Sequence, residues 1–139
     1  MRLSRREALI LAAGGALMGF LPRGASAATV DEAMAAFAEG AALGEGGVEI
    51  SAPEIAENGN SVPVEVFAPG AVAIAVFADG NPSPGVAKFH FGPLAGESRA
   101  STRIRLAKTQ NVVALAKMAD GAVVAARREV KVTIGGCGG

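Results

Sequence analysis

Ala71-Val72-Ala73-Ile74-Ala75-Val76-Phe77-Ala78 runs without a polar side chain between two turn signals, Pro69-Gly70 before it and Asp79-Gly80-Asn81-Pro82-Ser83-Pro84-Gly85 after it. A short apolar run bounded by glycine and proline reads as a buried strand. Successive side chains on a strand point to opposite faces. Val72, Ile74 and Val76 therefore belong to one face, and Ala73, Ala75 and Phe77 to the other. Both faces are apolar, so the strand needs two covers: its own core on one side and something else on the other. A permanent partner is one candidate for that second cover.

Outward from this strand the period stays at two. Val48-Glu49-Ile50-Ser51 alternates, Asn58-Gly59 marks a turn, and Val62, Val64 and Val66 alternate with Pro63, Glu65 and Phe67. Pro63 has no N–H for a ladder and is expected at an edge or a strand start. On the other side, Val86 to Phe91 should turn Phe89 and Phe91 inward and Lys88 and His90 outward. Arg99 to Arg105 reads as a strand with a polar face of Ser101, Arg103 and Arg105, and Asn111 to Met118 as another apolar strand. Asp120-Gly121 is a hairpin signal leading into a last strand from Ala122 to Ile134, with a bulge expected near Arg127-Arg128. Ahead of all these, Thr29-Val30-Asp31-Glu32 has capping-box spacing and opens a short helix. Val30, Met34 and Phe37 share one face with Ala33 beside them, Gly40 is its expected end, and the glycine-rich stretch to Gly47 reads as a loop. Short strands with regular turns predict an all-β, antiparallel β-sandwich with one N-terminal helix.

The chain before that helix reads as a targeting segment. Ser4-Arg5-Arg6-Glu7-Ala8-Leu9-Ile10 resembles a twin-arginine export motif, with Ala8 and Ile10 departing from its usual residues. The apolar stretch from Ala8 to Leu21 is too short and glycine-rich for a stable span, and Ala25-Ser26-Ala27 offers a small-x-small cleavage site. The expected organisation is a signal peptide over 1–27, a helix-plus-β-sandwich domain over 28–134 and a flexible cysteine arm over 135–139. Removal of the signal leaves 9 basic and 12 acidic residues, a net charge near −3. With no dominant basic patch, a nucleic-acid partner is not expected. The mature form is not expected in a membrane.

The last five residues, Gly135-Gly136-Cys137-Gly138-Gly139, hold the only cysteine of the chain. Glycine on both sides leaves the sulfur unshielded and the backbone conformationally free. A lone thiol on such a tether suits presentation to a partner better than catalysis in place. Other readings are an intermolecular disulfide and a thiol enzyme, such as a single-cysteine peroxidase or sulfurtransferase. For the latter the obvious base is His90, the only histidine. Nucleophilic catalysis needs a base held within hydrogen-bonding reach, which a glycine tether does not supply. No cation neighbours Cys137 in sequence, so its thiolate must be favoured in a partner's site. One His and one Cys exclude a protein-only metal cage of the usual kind, and no cofactor or metal is expected on the chain. Arg99, Arg103, Arg105 and Lys108 form a candidate anion-attracting face whose ordinary reading is a solvated strand surface.

The terminal pentapeptide, preceded by Lys131-Val132-Thr133-Ile134, resembles the C-terminus of the SoxY family of sulfur carriers. So do residues 52–59 (Ala-Pro-Glu-Ile-Ala-Glu-Asn-Gly), Phe89-His90-Phe91 and residues 102–110 (Thr-Arg-Ile-Arg-Leu-Ala-Lys-Thr-Gln). The resemblance implies an immunoglobulin-like sandwich in the periplasm, in a heterodimer with a second sandwich subunit, SoxZ. It implies covalent sulfur attachment at Cys137, with Gly135, Gly136, Gly138 and Gly139 as the flexible arm. It further implies a haem c-containing enzyme that joins thiosulfate to the thiolate, a manganese sulfate thiohydrolase, and in some systems a sulfane dehydrogenase. The haem and manganese belong to those partners, and the chain itself would be no enzyme.

Overall fold

The capping box is where the folded domain begins. In the computed structural model, which describes residues 29–133, helix α1 spans Val30–Ala38 with Thr29 as its N-cap. The Thr29 hydroxyl accepts from the Glu32 N–H at 3.3 Å, and the Glu32 carboxylate accepts from the Thr29 N–H at 3.2 Å. The helix ends at Ala38, two residues before the expected glycine. Glu39 takes the left-handed conformation at φ 53°, and Gly40 follows at φ 82°. The expected signal peptide (1–27) and cysteine arm (135–139) lie outside the described residues.

Among the described residues nine strands follow: β1 (Leu43–Glu45), β2 (Glu49–Ser51), β3 (Ile55–Ala56), β4 (Val62–Phe67), β5 (Ala71–Ala78), β6 (Gly85–His90), β7 (Arg99–Ile104), β8 (Gln110–Met118) and β9 (Val123–Val132). One sheet has the order β1-β9-β8-β5-β6, with β3 also on β9, and the other has the order β2-β4-β7. The ladders that join β4 to β7, β5 to β6 and β8, and β8 to β9 are all antiparallel. This is the immunoglobulin-like sandwich expected. The β8–β9 hairpin closes at Gly121, whose φ is 89° and whose N–H donates to the Met118 carbonyl at 3.0 Å. Two short strands were not expected: β1, within the stretch read as a loop, and β3 each pair in parallel with β9. Neither carries an alternating apolar pattern of its own. They are strands because the edge of β9 turned away from β8 offers them unpaired backbone.

Between the sheets, Ile74, Val76, Val112, Ala114 and Val130 meet Val62, Val64, Val66, Ile104 and Leu106. On the outer face of the larger sheet, Ala73, Ala75, Phe77, Val113, Leu115 and Val123 meet Met34, Phe37 and Ala38 of α1. Phe37 stands edge-on to Phe77, centroids 6.5 Å apart and planes at 69°. Full burial of side chains such as Met34 and Phe37 contributes ~1.5–3 kcal/mol each. The second cover of β5 is therefore the chain's own helix, and the doubly apolar strand carries no argument for a partner. Val72 also departs from the expected face. The β5–β8 register shifts between Ala71 and Ala73, and this bulge leaves Val72 41% exposed.

The bulge expected at Arg127-Arg128 is absent, since the β8–β9 register runs unbroken from Gln110↔Val130 to Lys117↔Val123. The charges need no kink to escape burial there. Arg127, Arg128 and Glu129 are exposed, and the Arg128 guanidinium donates to the Ala52 carbonyl at 3.0 Å. Pro63 sits as expected near a strand start, where β2, ending opposite Glu65, does not reach.

Candidate functional site

The hairpin at Asp120-Gly121 starts β9, and nine residues later Val132 ends it, so the strand leads directly toward the cysteine arm. Cys137 and its flanking glycines Gly135, Gly136, Gly138 and Gly139 lie outside the described residues. The root from which they continue is described in full, and both of its edges are held. On one edge β3 supplies carbonyls: Lys131 N–H donates to the Glu54 oxygen at 2.9 Å and Thr133 N–H to the Ala56 oxygen at 3.1 Å. On the other edge Val132 N–H donates to Thr109 Oγ1 at 2.9 Å, and the same hydroxyl donates back to the Val132 carbonyl at 3.4 Å.

Beneath the root, Gly59 is wedged between two elements. A Cβ there would stand 2.6 Å from the Leu106 carbonyl oxygen and 2.9 Å from Val132 Cγ1. Leu106 N–H donates to the Gly59 carbonyl at 2.7 Å, closing the contact. The segments 54–59 and 106–110 thus converge on the last residues of β9. Both lie in stretches that carry the family resemblance, but no supporting role for Thr109, Ala56 or Gly59 was read from the sequence. Contacts between residues 23 or more positions apart leave no local periodicity to detect.

Next to the root, Gln110 is the only buried polar residue among those described. Its carboxamide accepts from Gly80 N–H at 2.8 Å and donates to the Asn81 oxygen and the Lys108 carbonyl, each at 2.9 Å. Asn81 in turn accepts from Ala107 N–H and donates to the Arg105 carbonyl at 2.7 Å. The turn after β5 and the loop before β8 are locked to each other by this network, with every buried polar side-chain atom described finding a partner.

His90 lies at the other end. It is exposed on β6, opposite Ala73, which pairs in turn with Lys117 near the end of β8. The β8 strand rises ~3.4 Å per residue, so Lys117 and Gln110 lie about 24 Å apart along it. Four residues from Thr133 to Cys137 reach at most ~14 Å. His90 is out of range as a base for Cys137. Instead it lines a cavity of about 440 Å³ with Phe37, Val72, Lys88 and Lys117, where the Lys88 and Lys117 ammonium groups stand 5.6 and 5.1 Å from the Phe37 ring centre. Phe89 and Phe91 pack on the core, as expected.

The arginine face divides. Arg99 is committed to Glu65, to Glu97 at 3.0 Å and to the Phe67 ring at 4.2 Å. Hydrogen bonds from the Ser101 hydroxyl and the Arg99 guanidinium hold the Glu65 carboxyl below its ordinary value. Arg103 reaches Ser61 Oγ at 3.4 Å, and Arg105 and Lys108 are exposed near the arm root. Among the described residues no group of His, Cys, Asp and Glu is placed to hold a metal ion.

Comparison with known proteins gives this arrangement a family. The sulfur oxidation protein SoxY family matches residues 33–137. Among solved structures, the sulfur carrier protein SoxY from Chlorobium limicola f thiosulfatophilum matches with 43% identity and a TM-score of 0.67, over 76% of this chain and 97% of that one. The superoxide reductase (neelaredoxin) from Ignicoccus hospitalis, at 21% identity and a TM-score of 0.56 over 63% of this chain and 81% of that one, shares the fold alone. No match was found among curated protein sequences. With the family matched across the sandwich and a carrier structure aligned over nearly its whole length, the chain belongs to the SoxY family of sulfur-oxidation proteins.

Proposed function

We propose that this chain carries sulfur covalently on Cys137 and presents it, in the periplasm, to separate enzymes that oxidise thiosulfate to sulfate. The observation that carries the proposal is the doubly clamped root at Lys131–Thr133. It gives the only thiol of the chain a fixed point of departure from a rigid sandwich, and Ile134 and a pair of glycines separate the two. Glycine's lack of a Cβ lets such an arm enter a channel that a branched side chain would block.

In this reading the Cys137 thiolate and the outer sulfur of thiosulfate lose two electrons together and form a disulfide bond, giving Cys–S–S–SO3⁻. The electrons pass to a haem c-containing enzyme. Water then cleaves the terminal S–S bond at a manganese thiohydrolase. Sulfate and two protons leave, and Cys–S–S⁻ remains. A sulfane dehydrogenase, where one exists, oxidises that remaining sulfur. The chain contributes the nucleophile and its delivery, and the metals act from the partners. A SoxZ-like sandwich subunit completes the carrier as a heterodimer, and the twin-arginine segment exports it.

Intact-mass measurement tests this. The purified carrier, incubated with thiosulfate and the haem-containing conjugating enzyme, should gain one S2O3 unit. The Cys137→Ser variant should gain none and should keep its melting temperature, because the substituted residue lies beyond the clamped root. An adduct that persists in C137S refutes the assignment, as does turnover of thiosulfate or peroxide by the carrier alone.

A further inference from the structure

The antiparallel register of β8 and β9 places Lys108 opposite Val132, two residues beyond the last regular pair, Gln110↔Val130. That bridge is not made. The Lys108 carbonyl is turned to the Gln110 carboxamide at 2.9 Å, and the Thr109 hydroxyl stands in its place, accepting from the Val132 N–H at 2.9 Å and donating to the Val132 carbonyl at 3.4 Å. One side-chain oxygen thereby does the work of a backbone peptide. In the alternation along β9, the N–H groups of Lys131 and Thr133 point to β3 while that of Val132 points to Thr109. Removal of either side leaves the strand end held along one edge only.

We propose that Thr109 is a positioning residue that sets where the cysteine arm begins. With its hydroxyl present, the strand end is held on both edges up to Lys131–Thr133, and Thr133 is four residues before Cys137. Without it, Lys131–Thr133 keeps only its bonds to Glu54 and Ala56, and the last residue still held by β8 is Val130, seven residues before Cys137. The inference rests on the carrier reading for its functional meaning. The local concentration of a tethered group falls as roughly the −3/2 power of tether length, so each opening of the singly held end, which lengthens the tether from four residues to seven, lowers presentation of the thiol at a docked partner's site about twofold. The hydroxyl, not the volume of the side chain, carries the effect.

Hydrogen exchange and a spin label test it on the full mature carrier. In Thr109→Val the Val132 amide should exchange roughly tenfold faster, the loss of one or two net hydrogen bonds, while the amides of β5 and β8 keep wild-type rates. A nitroxide on Cys137 should give a narrower line in T109V than in the wild type. Thr109→Ser, which keeps the hydroxyl, should match the wild type in both measurements. Unchanged exchange and line width in T109V overturn the proposal. So does T109S behaving like T109V, or exchange that rises throughout β5 and β8, which would make the residue a general fold determinant. Neither readout involves sulfur chemistry, so the carrier reading stands or falls separately, on loading of Cys137.

Discussion

Substitution of Gly59 by alanine should destabilise the domain by ~2–3 kcal/mol, from one added methyl group. The new Cβ would stand 2.6 Å from the Leu106 carbonyl oxygen and 2.9 Å from Val132 Cγ1, well inside carbon contact distance. Neither neighbour is free to yield. Leu106 N–H is bonded to the Gly59 carbonyl at 2.7 Å, and the next residue, Ala107, is bonded through its N–H to Asn81 at 2.9 Å. Val132 is held by Thr109 on one side and by its strand neighbours' bonds to β3 on the other. Overpacking a rigid site costs about 1–3 kcal/mol, and a backbone oxygen as the first obstacle puts this case at the upper end. For a domain of this size that corresponds to a fall of roughly 10–15 °C in melting temperature. Urea unfolding followed by circular dichroism measures it, and Gly92→Ala serves as the control. A Cβ at Gly92 meets nothing within 4 Å, so that variant should stay within about 0.5 kcal/mol of the wild type. A Gly59→Ala protein as stable as the Gly92→Ala control would refute the packing described for the arm root.

Phe37→Ala should cost about 3 kcal/mol in urea unfolding, because it empties the contact between α1 and Phe77 and uncovers β5. A loss under 1 kcal/mol would show that the helix is not the second cover of that strand. Glu65 should give a pH-dependent contribution. Its carboxyl is held low, first by Ser101 and then by Arg99, so between the folded value and the ordinary unfolded value of about 4.3 the unfolded chain binds more protons. The contribution is complete above about pH 5 and is lost as pH falls through the folded value. The difference in melting temperature between the wild type and Glu65→Gln should therefore shrink on acidification from neutral pH. A difference that stays constant to pH 3 would contradict it.

Much of this could be read from residue order alone, because it depends on neighbours in sequence. The capping box at Thr29 and Glu32, the hairpin at Asp120-Gly121 and the alternation of Val62, Val64 and Val66 are short-range patterns, and each lies where its pattern placed it. The inward turn of Phe89 and Phe91 follows from the same two-residue period. Where the reading failed, the deciding interaction was distant. The Ala71–Ala78 run announced two buried faces, but no local signal said that α1, more than 30 residues earlier, would cover one of them. The straight ladder through Arg127 and Arg128 depends on β8 and on Ala52, so the charge pair alone was a poor guide to a bulge.

The same division holds for the site. A single cysteine between glycines is enough to propose Cys137 as the sulfur-bearing residue without any structure, since thiol chemistry is a property of that residue itself. What holds the root of that arm is a property of the fold. Glu54 and Ala56 on one edge, Thr109 on the other and Gly59 beneath meet Lys131–Thr133 only because the sandwich brings segments far apart in the chain into hydrogen-bonding distance. Composition suggests the chemistry proposed for the arm, and long-range pairing decides how its root is held.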